Sequence, residues 1–99
     1  MRLKNPSSAN ILTRIKFNQG LIGPINGLNR FFTTPHKFLY KPAEGVEPVF
    51  KRNGQTVYVG VEIEDVSESG GPGTGYDTIE YRKAPRGKDK LTADYIAEA

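Results

Sequence analysis

The chain has 99 residues, of which 36% are hydrophobic, with eleven Gly, seven Pro and no Cys, and its formal net charge is +3. A chain of this length forms one domain with a thin core, and the lack of Cys excludes disulfides, thiolate catalysis and Cys-based zinc sites. No apolar run approaches the roughly 18 residues that span a bilayer, and the first residues lack the apolar core of a signal peptide. We therefore expect a protein that is made in a cytoplasm and has no membrane contact.

Charge is distributed unevenly along the chain. Residues 1–43 contain seven basic side chains and no acidic one, whereas residues 44–99 contain seven basic and all eleven acidic side chains. Such an asymmetry indicates complementary contacts within an assembly more directly than the overall charge does.

The N-terminal part of the sequence predicts an arm, a strand, a loop and a second strand, in that order. Residues 1–10 are polar and basic, which is typical of an extended arm. Residues 11–17 alternate between apolar and basic side chains and predict a strand. Residues 18–29 are dense in Asn, Gly and Pro and predict a loop, and the β-prone run at residues 30–34 is ended by Pro35.

The middle of the chain predicts a β-hairpin. The β-prone runs at residues 49–52 and 55–64 flank Asn53-Gly54, a pair that tolerates the positive φ of a type I′ turn. The second run has the best strand pattern in the sequence, because four apolar residues alternate with other residues along it. These four are Val57, Val59, Val61 and Ile63.

The C-terminal third predicts two more strands. Residues 67–75 are rich in Gly and Ser, a composition typical of a flexible hairpin loop. Residues 76–82 follow as a strand with Ile79 and Tyr81 on one face, and residues 91–96 form the last strand. Its inward residues are Leu91, Ala93 and Tyr95.

Together these elements predict an all-β fold, a small β-sandwich or open β-barrel of five to seven short antiparallel strands with an extended N-terminal arm. No segment of ten or more residues shows the helical period of 3.6. Residues 1–25 comprise the extended basic arm and the first strand, and residues 26–99 form a single β domain.

No segment of the sequence predicts catalysis, a cofactor or a metal site. A phosphate-binding loop needs Lys-Ser/Thr and a helix after its last glycine, whereas Gly75 leads into a strand. The single histidine, His36, lacks the spaced partners of a general base or a metal ligand and is expected to face solvent in a loop. The acidic residues between 62 and 68 fit a solvated or partner-facing patch better than a calcium loop.

Nucleic-acid binding by a small basic β-barrel is the alternative from another functional class. Basic residues in the first 43 positions are interleaved with phenylalanines, and surfaces that track a nucleic-acid backbone combine these two residue types. A half-buried strand shows the same alternation, so a solvated face and a contact with an acidic protein partner stay open as well.

Three segments, in order, resemble a β-rich pattern that is common in structural proteins of tailed bacteriophages. Residues 27–33 match its opening, G-x-N-x-x-F-T, and residues 49–54 match a hairpin that begins with Val and ends in Asn-Gly. Residues 79–95 match its ending, I-x-x-x-x-A-P-x-x-x-D-x-L-x-A-D-Y. The resemblance implies a virion role, as a head-to-tail connector, a head-closure ring, a capsid decoration protein or a fibre module.

From this resemblance we expect a non-enzymatic virion structural protein, a head-to-tail connector or head-closure ring subunit, with a capsid decoration protein as the alternative. It would assemble in the host cytoplasm and reside in the virion. Its partners would be other copies of itself and connector, portal, capsid or tail proteins, with packaged DNA as a further contact. A basic set of residues is expected to meet an acidic set across the interface. The two sets are Arg2, Lys4, Arg14 and Lys16, and Glu62, Glu64, Asp65 and Glu68.

Overall fold

The computed structural model describes residues 14–98, so the predicted arm and the start of the predicted first strand lie outside the described residues. Within them, seven strands and one short 3-10 helix form an all-β fold, as the sequence predicts. The strands are β1 (Ile15–Gly20), β2 (Phe31–Phe38), β3 (Val49–Arg52), β4 (Gln55–Val57), β5 (Ile63–Ser67), β6 (Tyr76–Tyr81) and β7 (Leu91–Ile96), and the 3-10 helix is Pro42–Glu44. No helix in this part of the chain is long and apolar enough to cross a membrane.

The strands form two antiparallel sheets. The four-stranded sheet has the order β1-β7-β3-β4, and the three-stranded sheet has the order β2-β6-β5. Backbone contacts join the sheets along one side: Ile22 pairs with Thr33, and the Leu39 N–H donates to the carbonyl of Ile96 at 2.9 Å. The result is a sandwich that is partly closed along that side.

The core lies between the two sheets and is built from the inward residues of β2 to β7. Ile79 and Tyr81 of β6 are buried, as are Leu91, Ala93 and Tyr95 of β7, which confirms the inward faces predicted for both strands. The other buried apolar residues are Phe32, Phe38, Phe50, Val57, Ile63, Val66 and Ala97. Because Phe38 has ring contacts with Phe50, Tyr76 and Tyr95, aromatic edges fill the middle of the core.

The predicted hairpin is confirmed at Asn53-Gly54. The two residues have φ angles of 54° and 82°, which place both in the left-handed region that a type I′ turn requires. Strand β3 pairs with β4 in the register Phe50 opposite Val57 and Arg52 opposite Gln55.

The single strand predicted for residues 55–64 is wrong, because the chain changes sheets within it. Strand β4 ends at Val57 in the four-stranded sheet, and β5 begins at Ile63 in the three-stranded one. The reversal between them uses Gly60 at a φ of 92° and is closed by the Ile63 N–H donating to the carbonyl of Tyr58. Val61, which the pattern placed on the same face as Val57 and Ile63, is therefore exposed, whereas those two residues are buried.

Pro35 does not end its strand as predicted. Strand β2 continues through Pro35 to Phe38, with a register shift against β6 between Thr33 and Phe38. A proline removes one backbone donor, which an edge strand with a bulge tolerates. Since β2 is an edge of the three-stranded sheet, the missing N–H breaks no ladder on its outer side.

Candidate interaction surfaces

The predicted basic set is only partly within the described residues. Arg2 and Lys4 lie outside them. Arg14 has a structural contact, because its Nε donates to the carbonyl of buried Ala97 at 2.8 Å. Lys16 is half-buried on β1, directly opposite Tyr95 of β7. The two described members of the set therefore belong to the β1–β7 edge rather than to a free arm.

The predicted acidic set is spread along β5 and serves mainly local structure. The Glu62 carboxylate accepts from the Tyr58 N–H at 2.9 Å and fixes the turn before β5. Glu64 pairs with Arg82 at 2.9 Å. Beyond the strand, Glu68 accepts from the Gly75 N–H at 2.9 Å. Three of the four carboxylates thus have partners within the chain.

Asp65 differs from the other members of this set. It is exposed on β5 beside Glu64, where the register against β6 shifts, so two consecutive acidic side chains face outward. Its side chain has no hydrogen bond or ion pair with a described residue, although its charge, after burial and Glu47, contributes to the raised pKa of Tyr40. The four residues do not form one acidic surface, since Glu62 and Glu68 lie at opposite ends of β5.

The charge asymmetry of the sequence is not preserved in space. Strands from the basic first part of the chain lie beside strands from the acidic second part, as in the β1–β7 and β2–β6 pairs. Among the described residues, the parts are connected by ion pairs of Arg30 with Glu80 at 3.0 Å and of Lys37 with Asp77 at 3.6 Å. Folding therefore neutralises much of the asymmetry.

The two ends of the sandwich carry opposite net charges. We define the basic end as the connections at residues 21–30, 53–54 and 82–90, together with Glu62, whose carbonyl accepts from the Arg82 N–H at 3.0 Å. They contain six basic side chains and two acidic ones, a net charge of +4. The six are Arg30, Arg82, Lys83, Arg86, Lys88 and Lys90, and the two are Glu62 and Asp89.

The acidic end comprises Arg14 and the connections at residues 39–48, 68–75 and 97–98. It contains two basic and four acidic side chains, a net charge of −2. The acidic ones are Glu44, Glu47, Glu68 and Glu98. Part of the basic end is visible in the sequence, because five of the nine residues in 82–90 are basic. The sequence does not show which other connections lie at the same end, because that depends on the strand order.

The 82–90 connection is held in place by Asp89. This carboxylate accepts from the guanidinium of Arg52 at 2.6 Å, from the side-chain amide of Asn53 at 3.0 Å and from the Arg86 N–H at 3.1 Å. The hydrogen bond from Asn53 comes first among the causes that lower the pKa of Asp89 to about 2, followed by those from the Arg86 backbone and Arg52. Through its bond with the Arg86 N–H, Asp89 also closes the turn within this connection.

Tyr81 lies beneath this network with an unusual environment for its hydroxyl. The residue is 1% exposed, and its Oη has no hydrogen-bond partner among the described residues. Burial raises the pKa of the phenol to about 12. The phenol therefore stays protonated at neutral pH and serves as an apolar core residue with one unpaired polar atom.

The outer face of the four-stranded sheet carries an apolar strip, defined as Ile15, Phe17, Val49 and Ile96, with the Asp94 carboxylate beside Val49 on the same face. Ile15 lies opposite Ile96, and Val49 lies opposite Asp94, two residues from Ile96 on the same face. Phe17 is 66% exposed. A cavity of about 260 Å³, lined in part by Ile15, Val46 and Ile96, adjoins the strip. Of the alternation predicted for residues 11–17, the part within β1 is present, but its apolar side chains, Ile15 and Phe17, face solvent.

The opposite face of the sandwich carries a second apolar group, the Ile22–Phe31 pair. Ile22 is bridged to Thr33, two residues along β2 from Phe31, so both side chains lie on the outer face of the three-stranded sheet. They are 55% and 52% exposed. The Arg30 guanidinium lies 5.7 Å from the centre of the Phe31 ring, which adds a cationic rim to this group.

In the described part of the chain, the residues that could act in catalysis or ligand binding have structural roles instead. His36 is exposed, as predicted, but it lies in β2 rather than in a loop, and its Nδ1 is 2.9 Å from the Tyr95 hydroxyl. The glycine-rich connection forms the predicted β5–β6 hairpin loop and is braced by Asp77, which accepts from the Ser69 hydroxyl at 2.6 Å. Residues 14–98 contain no group of three or more His, Cys, Asp or Glu side chains that could hold a metal ion.

The three segments of the phage-like pattern meet at the basic end. Asp89 of the third segment binds Arg52 and Asn53 of the second, and the carbonyl of buried Pro85 accepts from the Gly27 N–H of the first at 2.9 Å. The pattern residues therefore form one braced unit. Comparisons with protein-family models, curated proteins and solved structures gave no match to this chain.

Proposed function

We propose that this chain is a non-enzymatic structural subunit of a tailed-phage particle, in which copies associate side by side into a ring. The observation that carries the proposal is the apolar strip of Ile15, Phe17, Val49 and Ile96 on an outer sheet face. A sheet face with several adjacent exposed apolar side chains gains free energy when another protein surface covers it.

The apolar groups on the two faces support contact with a second copy. The strip lies on the four-stranded sheet and the Ile22–Phe31 pair lies on the three-stranded sheet, on opposite sides of the sandwich. If the strip of one copy covers the pair of the next, the same contact repeats around a ring. Such head-to-tail interfaces generate closed rings when the rotation between neighbours is suitable.

Placement in the head-to-tail connector or the head-closure ring rests on the resemblance of residues 27–33, 49–54 and 79–95 to phage structural proteins. The contacts among these segments support a scaffold role, because Asp89 of the third segment accepts hydrogen bonds from Arg52 and Asn53 of the second. A capsid decoration protein is the alternative within the same class.

Nucleic-acid binding is a second candidate, favoured by one observation. Lys83, Arg86, Lys88 and Lys90 form no ion pair with any described residue, so four cations of the basic end are open to a polyanion. Phosphate neutralisation by such side chains would give binding that weakens steeply with salt.

The test of the proposed function combines self-assembly with particle composition. Sedimentation velocity and negative-stain electron microscopy of the purified chain should show a ring of one defined copy number. The variant Phe17→Ser should reduce ring formation, because it removes the most exposed member of the strip. Val61→Ser is the matched control, since Val61 is 58% exposed in the turn before β5, at the edge of the three-stranded sheet opposite β2.

Mass spectrometry of density-purified phage particles from a culture expressing the gene should detect the chain in a fixed ratio to the portal protein. A chain that remains monomeric at every concentration and is absent from such particles would contradict the proposal. Retention on DNA by an otherwise monomeric chain would favour the nucleic-acid candidate.

A further inference from the structure

We propose that the basic end of one copy binds the acidic end of a second copy, so that subunits or rings stack end to end through charge. The inference rests on the proposed self-assembly but uses a different surface, since the apolar strip and the Ile22–Phe31 pair lie on the sheet faces. The contact sites are Lys83, Arg86 and Lys88 at the basic end and Glu44, Glu47 and Glu98 at the acidic end.

The three cations are exposed and have no ion pair within the described chain. They project from a connection whose backbone is fixed, because Asp89 anchors it to Arg52 and the Pro85 carbonyl accepts from the Gly27 N–H. A charged loop that is already ordered loses little conformational entropy when it meets a partner. These cations are therefore arranged for recognition rather than for holding the fold.

The three carboxylates at the other end show the same features. Glu44, Glu47 and Glu98 are exposed and form no ion pair with a described residue. Glu44 ends the 3-10 helix, and that connection is closed by the Lys41–Val46 bridge. The backbone of Glu98 is fixed by its N–H, which donates to the carbonyl of Lys37 at 2.8 Å.

The partner that fits both ends is another copy of the chain. The strands run along the direction that joins the two ends, so a translated copy presents its acidic end to the basic end of its neighbour. Nucleic acid would account for the basic end alone and would leave the acidic carboxylates without a role. The 82–90 connection also contains no aromatic residue on which bases could stack.

A charge swap tests this contact directly. The first variant, Lys83→Glu/Arg86→Glu/Lys88→Glu, makes both ends negative, and the second, Glu44→Lys/Glu47→Lys/Glu98→Lys, makes both ends positive. Each variant alone should lose end-to-end association by at least about tenfold in Kd, because like charges face each other. An equimolar mixture should associate again, since each end then meets the opposite charge. Thr56→Glu is the control for a charge change on a sheet face, since Thr56 is exposed in β4 opposite Lys51.

The measurements are sedimentation velocity in low and high salt, with circular dichroism melting to confirm that each variant is folded. Recovery in the mixture, and its loss in about 0.5 M salt where the Debye length falls to a few ångströms, supports the proposal. If the first variant associates as the wild type does, or if the mixture does not recover, the end-to-end contact is wrong. If the first variant loses retention on DNA but keeps its association, the basic end binds nucleic acid instead.

The end-to-end contact and the side-by-side ring contact can be tested separately. Phe17→Ser should reduce rings but leave end-to-end association, whereas the charge variants should leave rings and remove stacking. Loss of rings with intact stacking would contradict the side-by-side proposal alone, and the reverse result would contradict the end-to-end proposal alone.

Discussion

The Asp89 carboxylate receives the guanidinium of Arg52 at 2.6 Å, and through this contact the β6–β7 connection is fastened to the β3–β4 hairpin. The two residues are 37 positions apart in sequence. The Asp89 side chain is only 14% exposed, so the contact is sheltered from solvent although it lies at the end of the sandwich. The basic end keeps its shape because one carboxylate binds groups from both connections.

The first prediction concerns the loss of that carboxylate. Asp89→Asn should lower the midpoint of urea unfolding, because an amide cannot accept from Arg52, Asn53 and the Arg86 N–H at once. Asp65→Asn is the matched control, since Asp65 is exposed and its side chain has no hydrogen bond or ion pair with a described residue. Equal midpoints for the two variants would show that the network contributes nothing to stability.

The second prediction concerns acid. The pKa of Asp89 is lowered to about 2 by its hydrogen bonds. In Asp77, burial opposes ionisation, but hydrogen bonds from Ser69 outweigh it and lower the pKa. Groups with a depressed folded-state pKa contribute stability above the unfolded value of about 3.9 and lose it as the pH falls through the folded value.

The midpoint of urea unfolding should therefore fall between about pH 4 and pH 2. Asp89→Asn should have a shallower slope in this range, since one of the two depressed groups is then missing. A slope that is the same in the wild type and in Asp89→Asn would contradict the role assigned to Asp89.

The third prediction concerns the β3–β4 turn. Gly54 has a φ of 82°, and a Cβ added there would meet no atom within 4 Å, so a substitution acts through backbone strain alone. Gly54→Val should lower the free energy of unfolding by about 1–3 kcal/mol. Gly20→Val is the control, because Gly20 also has open space around it but no positive φ. Chemical denaturation should separate the two variants, and equal effects would contradict the strain argument.

The hairpin and the last two strands could be predicted because their signals are local. Asn53-Gly54 fixes the turn type through its own backbone preferences. The alternation in residues 76–82 and 91–96 predicts the buried side chains correctly, because each of these strands keeps one face toward the core and the other away from it along its whole length. The inward positions of Tyr81 and Tyr95 follow from that alternation.

The remaining features depend on which strands become neighbours. The alternation of residues 55–64 continues without interruption in the sequence, yet the chain leaves one sheet after Val57 and enters the other at Ile63. Likewise, alternation puts Ile15 and Phe17 on one face but cannot say that this face points outward. The polarity between the two ends is also invisible in the sequence, since it requires knowing which connections share an end.

The fourth prediction concerns the unpaired hydroxyl in the core. Tyr81→Phe should leave stability unchanged or raise it by about 1 kcal/mol, because a buried hydroxyl without a partner costs about 1–3 kcal/mol. Tyr95→Phe is the matched comparison, since that hydroxyl is 2.9 Å from the Nδ1 of His36. It should lose about 0.5–1.5 kcal/mol. Urea unfolding measures both, and a clear loss of stability in Tyr81→Phe would mean that its hydroxyl has a partner.

The last prediction separates the roles within the basic set that the sequence singled out. Arg14 donates to the carbonyl of buried Ala97, so Arg14→Gln should lower the free energy of unfolding by about 1–3 kcal/mol by leaving this acceptor unpaired. Arg2→Glu/Lys4→Glu should instead leave the melting temperature unchanged and reduce incorporation into particles, if these residues bind an acidic partner surface.

Thermal melting and quantitative mass spectrometry of purified particles, applied to both variants, distinguish a structural from an interfacial role. Reversal of Arg2 and Lys4 that leaves incorporation intact would remove electrostatic docking of the arm from the assembly scheme. An unchanged melting temperature in Arg14→Gln would show that the β1–β7 edge does not need this hydrogen bond, since the neighbouring Ala97 N–H still donates to the Arg14 carbonyl at 2.8 Å.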